Sequence, residues 1–253
     1  HTGPDLGQYR GTGYGQLCQY RKADGTDQTW AGVDDWRPAG EYRDKAEELE
    51  PRAQASLYFY GVNPKNNTGN SRWDLYQNWQ LEYKWQDGCA KNIKFWYEAG
   101  SREWFEFPIY RMAEFYLNIA EAYNEEGNPT MALRYLNDIR KRGGIPDETQ
   151  TDRVGLRRSI HREWAVEFYE ENQWYPHARH WKQGASMVGG AKYKFEFSQA
   201  AGVSWNPRKP EEFANYTRKP SYVPEYTWHE RMSLSPFTLS EVNKGYLVQN
   251  PGY

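Results

Sequence analysis

Between positions 109 and 144 the apolar residues recur at a helical spacing in two successive runs, and an antiparallel helix pair is the structure that such a text specifies. Ile109, Met112, Ala113, Tyr116, Leu117, Ala120 and Tyr123 fall on one stripe of a 3.6-residue period. Gly127 ends the run, Asn128 is a good N-cap, and Pro129 stands at a first helical position, where its missing N–H leaves no gap. Ala132, Tyr135, Leu136 and Ile139 then line one face of a second helix. Lys141 and Arg142 complement the dipole in its last turn, and Gly143, Gly144 and Pro146 stop it. A helix pair with so short a loop is the unit from which tetratricopeptide-type arrays are built.

A third helix is expected from about Asp152 to Glu171, with Leu156, Ile160, Trp164 and Phe168 on one side. Its charges run against the macrodipole. Arg153, Arg157, Arg158 and Arg162 fill the first half, and Glu163, Glu167, Glu170 and Glu171 the second. Each block opposes the dipole by a few tenths to ~1 kcal/mol per charge, so a solvated helix has no reason to adopt that order. The order predicts that charges such as Arg158, Arg162, Glu163 and Glu167 are held as structural ion pairs by partners on neighbouring elements. A short fourth helix or turn carries Trp174, His177, Arg179 and Trp181.

Outside this block the periodicity is weak. Residues 1–50 are rich in Gly, Asp and Trp and read as elaborate loops, with a polar helical turn over 41–50; residues 53–62 read as a short helix passing into a strand. An aromatic stretch runs from Trp73 to Phe107. After Trp181 the chain is broken by Gly189–Gly190, Asn206–Pro207, Lys209–Pro210, Lys219–Pro220 and Val223–Pro224, leaving room for a short strand at 193–197 and one helical turn at 239–243. The organisation is therefore an irregular aromatic-rich region (1–107), a helical core (108–182) and a loop-rich C-terminal segment (183–253), together one folded unit.

Composition narrows the function. The chain has 253 residues with 12 Trp, 21 Tyr and 10 Phe, yet its mean hydropathy is −1.05. So many amphipathic rings in so polar a chain predict that some line a surface or groove, while others replace scarce Leu and Ile in the core. The net charge of −2 gives no electrostatic case for nucleic acid or an anionic membrane surface. Cys18 and Cys89 fit neither a disulfide scaffold nor a zinc pattern, and their pairing stays open. No run approaches the ~20 apolar residues of a membrane span. The start at His1 without Met or signal peptide reads as a processed or partial chain.

The helical block also resembles a known family. Tyr110 to Ala122 is similar to the R-x-A-E-x-Y-L-x-x-A-E-A signature of SusD/RagB proteins. Ala132-Leu133, Leu136-Asn137 and Ile139-Arg140 through Gly143 resemble the family's next helix, and Ile160 to Phe168 resembles I-x-x-E-R-x-x-E-L. Glu171 to Tyr175, with Arg179 and Trp181, stands where the family reads E-G-x-R-Y-x-D-L-x-R-W, although Asn172, Gln173, Pro176 and His177 depart from it. Gln249 to Tyr253 matches a habitual Q-N-P-G-Y terminus, and Glu50-Pro51-Arg52 lies near the family's D-P-R. The resemblance implies a mainly α fold: tetratricopeptide-like helix pairs, a large irregular loop-rich region and a few short strands. It implies a surface-exposed outer-membrane lipoprotein, twice this length and lipid-anchored through the N-terminal half absent here. Its partner would be a SusC-like TonB-dependent transporter, and its cargo an oligosaccharide or, in some members, a peptide. It implies neither a cofactor nor a resident metal.

Gripping a sugar without cleaving it requires flat rings for the C–H face and planar polar groups for the hydroxyls. Trp30 and Trp36, with Asp34 between them and Arg37 after, supply both on one loop, and loops on a rigid scaffold are where binding residues concentrate. Tyr14 and Tyr20 in a glycine-flanked stretch extend the set, and Trp73 and Trp79 join it on the same ground. The competing reading makes these rings core or interface anchors. Acidic pairs such as Asp34/Asp35 or Glu163/Glu167 superficially suit an all-helical glycoside hydrolase, but the ion-pair reading already accounts for the second pair. His177 and His180 lack a Glu-x-x-His context for metal. The expected function is thus oligosaccharide binding for import, with peptide import or a scaffold subunit as alternatives.

Overall fold

The structure is a computed structural model that describes residues 13–60, 88–94, 108–189, 191–202, 213–221 and 227–253. In chain order the elements are α1 (Tyr14–Leu17), β1 (Arg37–Pro38), α2 (Ala39–Glu47), α3 (Pro51–Ser56), β2 (Leu57–Tyr58) and β3 (Lys91–Asn92). The helical block follows as α4 (Met112–Glu126), α5 (Pro129–Arg142), α6 (Arg153–Glu167), α7 (Trp174–His180) and α8 (Gly184–Met187). Then come β4 (Tyr193–Gln199), β5 (Phe213–Pro220), a 3-10 turn (Glu230–Ser233) and α9 (Leu239–Val242). The fold is helix-rich with a few short strands, as the text predicts.

The helix pair forms where the periodicity places it. Gly127 closes α4 at φ 88°, a left-handed backbone that a side chain would strain. The Asn128 side chain accepts the Met131 N–H at 3.2 Å and so caps α5. Ala113, Leu117 and Ala120 of α4 meet Ala132, Leu136 and Ile139 of α5, and Leu156, Ile160, Trp164 and Phe168 of α6 complete the cluster. The stripe is narrower than its apolar letters. Ile109 precedes the helix and is 75% exposed, and Met112 is exposed as well, because α4 begins one turn later than the pattern suggests.

A second core is aromatic. Tyr42 of α2 sits among Phe59, Tyr60, Phe195, Phe197 and Tyr216, with ring centroids 5.1–6.3 Å away. Its hydroxyl donates to the Cys89 carbonyl at 2.8 Å and accepts the Tyr60 N–H at 3.3 Å, which satisfies the buried oxygen. Tyrosine here does replace aliphatic core filler. This cluster is capped by a three-stranded antiparallel sheet of order β1-β5-β4, in which Phe195 pairs with Arg218 and Phe197 with Tyr216. Strand β5 was not legible because Pro220 and the polar residues of 214–219 hide its alternation.

Charges tie the two cores together. Glu163 accepts from Arg52, with Arg140 at 3.7 Å; Glu167 takes Arg111 at 2.7 Å, Arg52 at 3.4 Å and Arg142; Glu171 takes Lys94 and Arg111 at 2.7 Å. Burial alone would raise the Glu167 carboxyl, but the Arg142 and Arg111 guanidinium groups outweigh it and hold it at about 2. Gly143 is required here, since a Cβ would lie 2.7 Å from Nε of Arg52 on its way to Glu163. Arg162 donates to the carbonyls of Gln19 and Cys18 at 2.6 and 3.0 Å and pairs with Asp27. Arg158 departs from the expectation. It is exposed and makes no ion pair with a described residue, because it lies on the solvent face of α6, while Arg153 and Arg157 on the α4 side share Glu125.

The joint between α6 and α7 is a stack of rings. His161 lies 3.6 Å from Trp181 at 12°, and His177 lies 4.6 Å from Trp181 and 4.0 Å from Trp164. The Trp181 indole N–H donates to Glu121 at 2.7 Å. Burial, reinforced by Arg157 beside His161 and by His180 beside His177, pushes both imidazoles down to about 4.

Two predictions follow from this packing. Leu136→Ala lowers unfolding stability by about 2–5 kcal/mol, while Arg158→Ala stays within about 0.5 kcal/mol; urea titrations of both variants check this. The unfolded chain binds protons at His161 and His177 near 6.5 whereas the fold resists them until about 4. Their contribution is therefore fully present above 6.5 and is lost as pH falls from 6.5 to about 4. His161→Phe, which keeps a ring on Trp181 and cannot charge, lessens the slope of melting temperature against pH in that window, and the part due to His177 remains.

Candidate ligand-binding face

The loop from Ala31 to Trp36 docks on β5 by its backbone. Arg218 N–H donates to Gly32 O at 3.2 Å, Asp34 N–H donates to Arg218 O at 3.2 Å, and Val33 bridges Arg218 in parallel. Asp34 achieves this in a left-handed conformation at φ 59°, which Asp tolerates better than most residues. Its carboxylate pairs with Lys219, and that bond raises the ammonium. Arg37 in β1 forms a two-oxygen clasp on Asp35 at 2.9 and 3.0 Å. Both contacts are at the surface, where screening leaves an ion pair little weight in stability. They fix geometry instead.

Trp36 of this loop is 44% exposed. Trp30 differs. It is half-buried against the aromatic core, with Tyr42 and Phe195 at 5.9 and 5.6 Å, and anchors the start of the loop. Tyr20 is 1% exposed and packs edge-on to Tyr169 at 6.4 Å, so it belongs to the core and offers no surface to a ligand. Burial decides the difference: Leu17 and Tyr20 are buried together, the chain surfaces between Ala23 and Thr29, dips back at Trp30 and Ala31, and is exposed again at Val33, Asp34 and Trp36. Trp73 and Trp79 lie outside the described residues.

Tyr14 of α1 is half-buried, edge-on to Phe195 at 5.8 Å, and its ring carries the Arg218 guanidinium at 4.5 Å. Burial and the neighbouring Cys18 push its phenol up to about 12 against the opposing pull of Arg218, so it is a hydroxyl at any physiological pH. Tyr193 of β4 covers the same guanidinium at 5.4 Å. Successive side chains of a strand face opposite ways, so Arg218 shares the Tyr14 side of β5 while Lys219 and Asp34 share the other. Trp36, Asp34 and Arg37 share the loop, but Arg37 stands opposite Tyr216 in register, on the Tyr14 and Arg218 side of β5, while Asp34 lies across the strand with Lys219. Arg218, Tyr193 and Lys219 escape a reading of the text, since no periodic signal marks β5 as a strand beside that loop.

Cys18 and Cys89 are both free thiols. Among the described residues, no three His, Cys, Asp or Glu side chains gather as metal ligands do. Among the same residues, no helix is long and apolar enough to cross a membrane.

A model of the SusD family matches residues 8–253. The chain belongs to the SusD family. It is similar to a SusD-like protein from Bacteroides fragilis NCTC 9343 with 26% identity and a TM-score of 0.71 over 96% of this chain and 47% of that one. It also resembles BT4246, in two structures, at 23% and 24% identity with TM-scores of 0.64 and 0.65; 96% of this chain is covered, against 46% and 44% of those. The chain spans about half the length of these SusD-type structures. No curated protein matches it.

The different placements of the two loop tryptophans have a measurable consequence. Trp30→Ala removes a core anchor and lowers stability by about 3 kcal/mol, whereas Trp36→Ala leaves it within about 0.5 kcal/mol. Chemical denaturation of the two variants side by side checks the assignment.

Proposed function

We propose that this SusD-family chain contributes the scaffold and part of the ligand-gripping face of a surface-exposed nutrient-binding protein of the outer membrane. Its cargo is an oligosaccharide, which it holds for a SusC-like TonB-dependent transporter and does not cleave. The observation that carries the reading is the family match over residues 8–253, and the face around Trp36 supplies the chemistry it requires.

An exposed indole offers a flat apolar surface to the C–H face of a pyranose. Asp34 with Lys219, and Asp35 with Arg37, belong to the same loop and strand and offer planar or charged partners for hydroxyls, held in place by each other and by the backbone of β5. Such preorganisation lowers the entropy lost on binding. The acidic pairs that a hydrolase reading would use are otherwise engaged. Glu163, which burial raises in spite of Arg52 and Arg140, and Glu167 are enclosed with arginines inside the protein, out of a glycan's reach, and Asp34 and Asp35 each hold a surface cation. A general acid needs a carboxyl kept protonated near neutrality; Asp35 is instead pulled down by the Arg37 hydrogen bond.

Calorimetry of the full-length protein against glycan and peptide panels tests the proposal. It predicts oligosaccharide binding in the micromolar to millimolar range without turnover, and a loss of roughly tenfold or more on Trp36→Ala. Silence toward every glycan with clear binding of a peptide assigns the protein to peptide import. Release of shorter sugars overturns the non-catalytic reading.

A further inference from the structure

Arg218 stands out among the cations around β5 and α1. Lys219 is matched by Asp34, Arg37 by Asp35 and Arg162 by Asp27. Arg218 forms no ion pair with any described carboxylate, and its buried Nε atom has no hydrogen-bond acceptor among the described residues. A half-buried guanidinium without a counter-charge is unfavourable in a protein unless something offsets the lost hydration. Two rings do so in part, because a cation over an aromatic face at these distances gains about 0.5–2 kcal/mol.

The setting is also rigid. The backbone of Arg218 is held on both sides by the docked loop, through Gly32 O and Asp34 N–H. Its side chain lies on the face of β5 that continues inward as Tyr216, opposite Phe195 of β4, so it stands where the aromatic core meets solvent. Tyr14 and Tyr193 flank it at 4.5 and 5.4 Å. A planar guanidinium clamped between rings, with its Nε buried, keeps its orientation and turns its terminal N–H groups to an oxyanion, a task that a flexible ammonium performs less selectively.

We propose that Arg218 is the anion-recognising residue of this face, so that the glycan held there bears a carboxylate or sulfate group. Tyr14 and Tyr193 act as the walls that fix the guanidinium, and the Tyr14 ring offers apolar surface beside it. The inference rests on the oligosaccharide reading and sharpens it from glycans in general to acidic ones.

A panel of neutral, uronate-bearing and sulfated oligosaccharides, applied to the full-length wild-type protein and to Arg218→Gln and Arg218→Lys, tests it. The expected result is that the wild type selects acidic glycans. Arg218→Gln then loses at least about tenfold in affinity, and Arg218→Lys recovers only part of it. Preference for the uronate or the sulfated set tells which anion is read. A second measurement needs no variant: at constant ionic strength, sodium sulfate weakens wild-type binding more than sodium chloride does. Tight binding of neutral glycans, unaffected by Arg218→Gln, overturns the inference and leaves the oligosaccharide reading standing. Absence of binding to every glycan overturns both.

Discussion

Two glutamates one helical turn apart, Glu163 and Glu167, are buried in α6 and receive guanidinium groups from Arg52, Arg111, Arg140 and Arg142. Those four arginines come from α3, the residue before α4, and the last turn of α5. Removing one member of such a cluster leaves a buried charge unmatched, at about 3–5 kcal/mol. The contacts are satisfied together only when the helix pair, α6 and the start of α3 are all in place. The energies also explain the arrangement of α6 itself. Its reversed charge order forfeits up to ~1 kcal/mol per end group against the dipole, less than the buried pairs would lose if the glutamates stood elsewhere.

The same polar chain reaches the binding face. Arg52 bridges from Glu163 to Glu50, and Glu50 accepts the Arg21 backbone N–H at 2.9 Å, pinning the chain just after α1. On the other side of α6, Arg162 gathers the carbonyls that end α1, the element bearing Tyr14. Gln16 of α1 donates to the Ala165 carbonyl at 2.8 Å. Tyr14 is thus tied to the helical block through α1, and it also packs on Phe195 of the sheet, on the side of β5 that carries Arg218. The face is built on the aromatic core, with α6 pinning its edge through α1.

Legibility in the text followed the range of the interactions. The helix pair rests on local rules, a 3.6-residue stripe, Gly127 at positive φ and Asn128 as a cap, and each is visible within a few residues. The reversed charges of α6 announced distant partners without naming them, because Arg52 lies 111 residues from Glu163. Which solvent face a charge takes was not announced either, so Arg158 looked equivalent to Arg157 although only the latter reaches α4. Trp30 and Trp36 read alike on one loop, and only the docking of Ala31 to Trp36 on a strand 185 residues away separates anchor from surface. Strand β5 itself, with Arg218, owes its form to pairing with β4 and not to a pattern of its own.

Substituting well-packed apolar residues for a buried ion cluster is often neutral or stabilising, so stability alone does not account for four arginines and two glutamates at this junction. Apolar contacts are non-directional and tolerate sliding of a helix by a fraction of a turn. Guanidinium–carboxylate pairs are directional and do not. The cluster therefore limits how α6, α3 and the end of α5 can slide against one another, which non-directional contacts of equal stability would not.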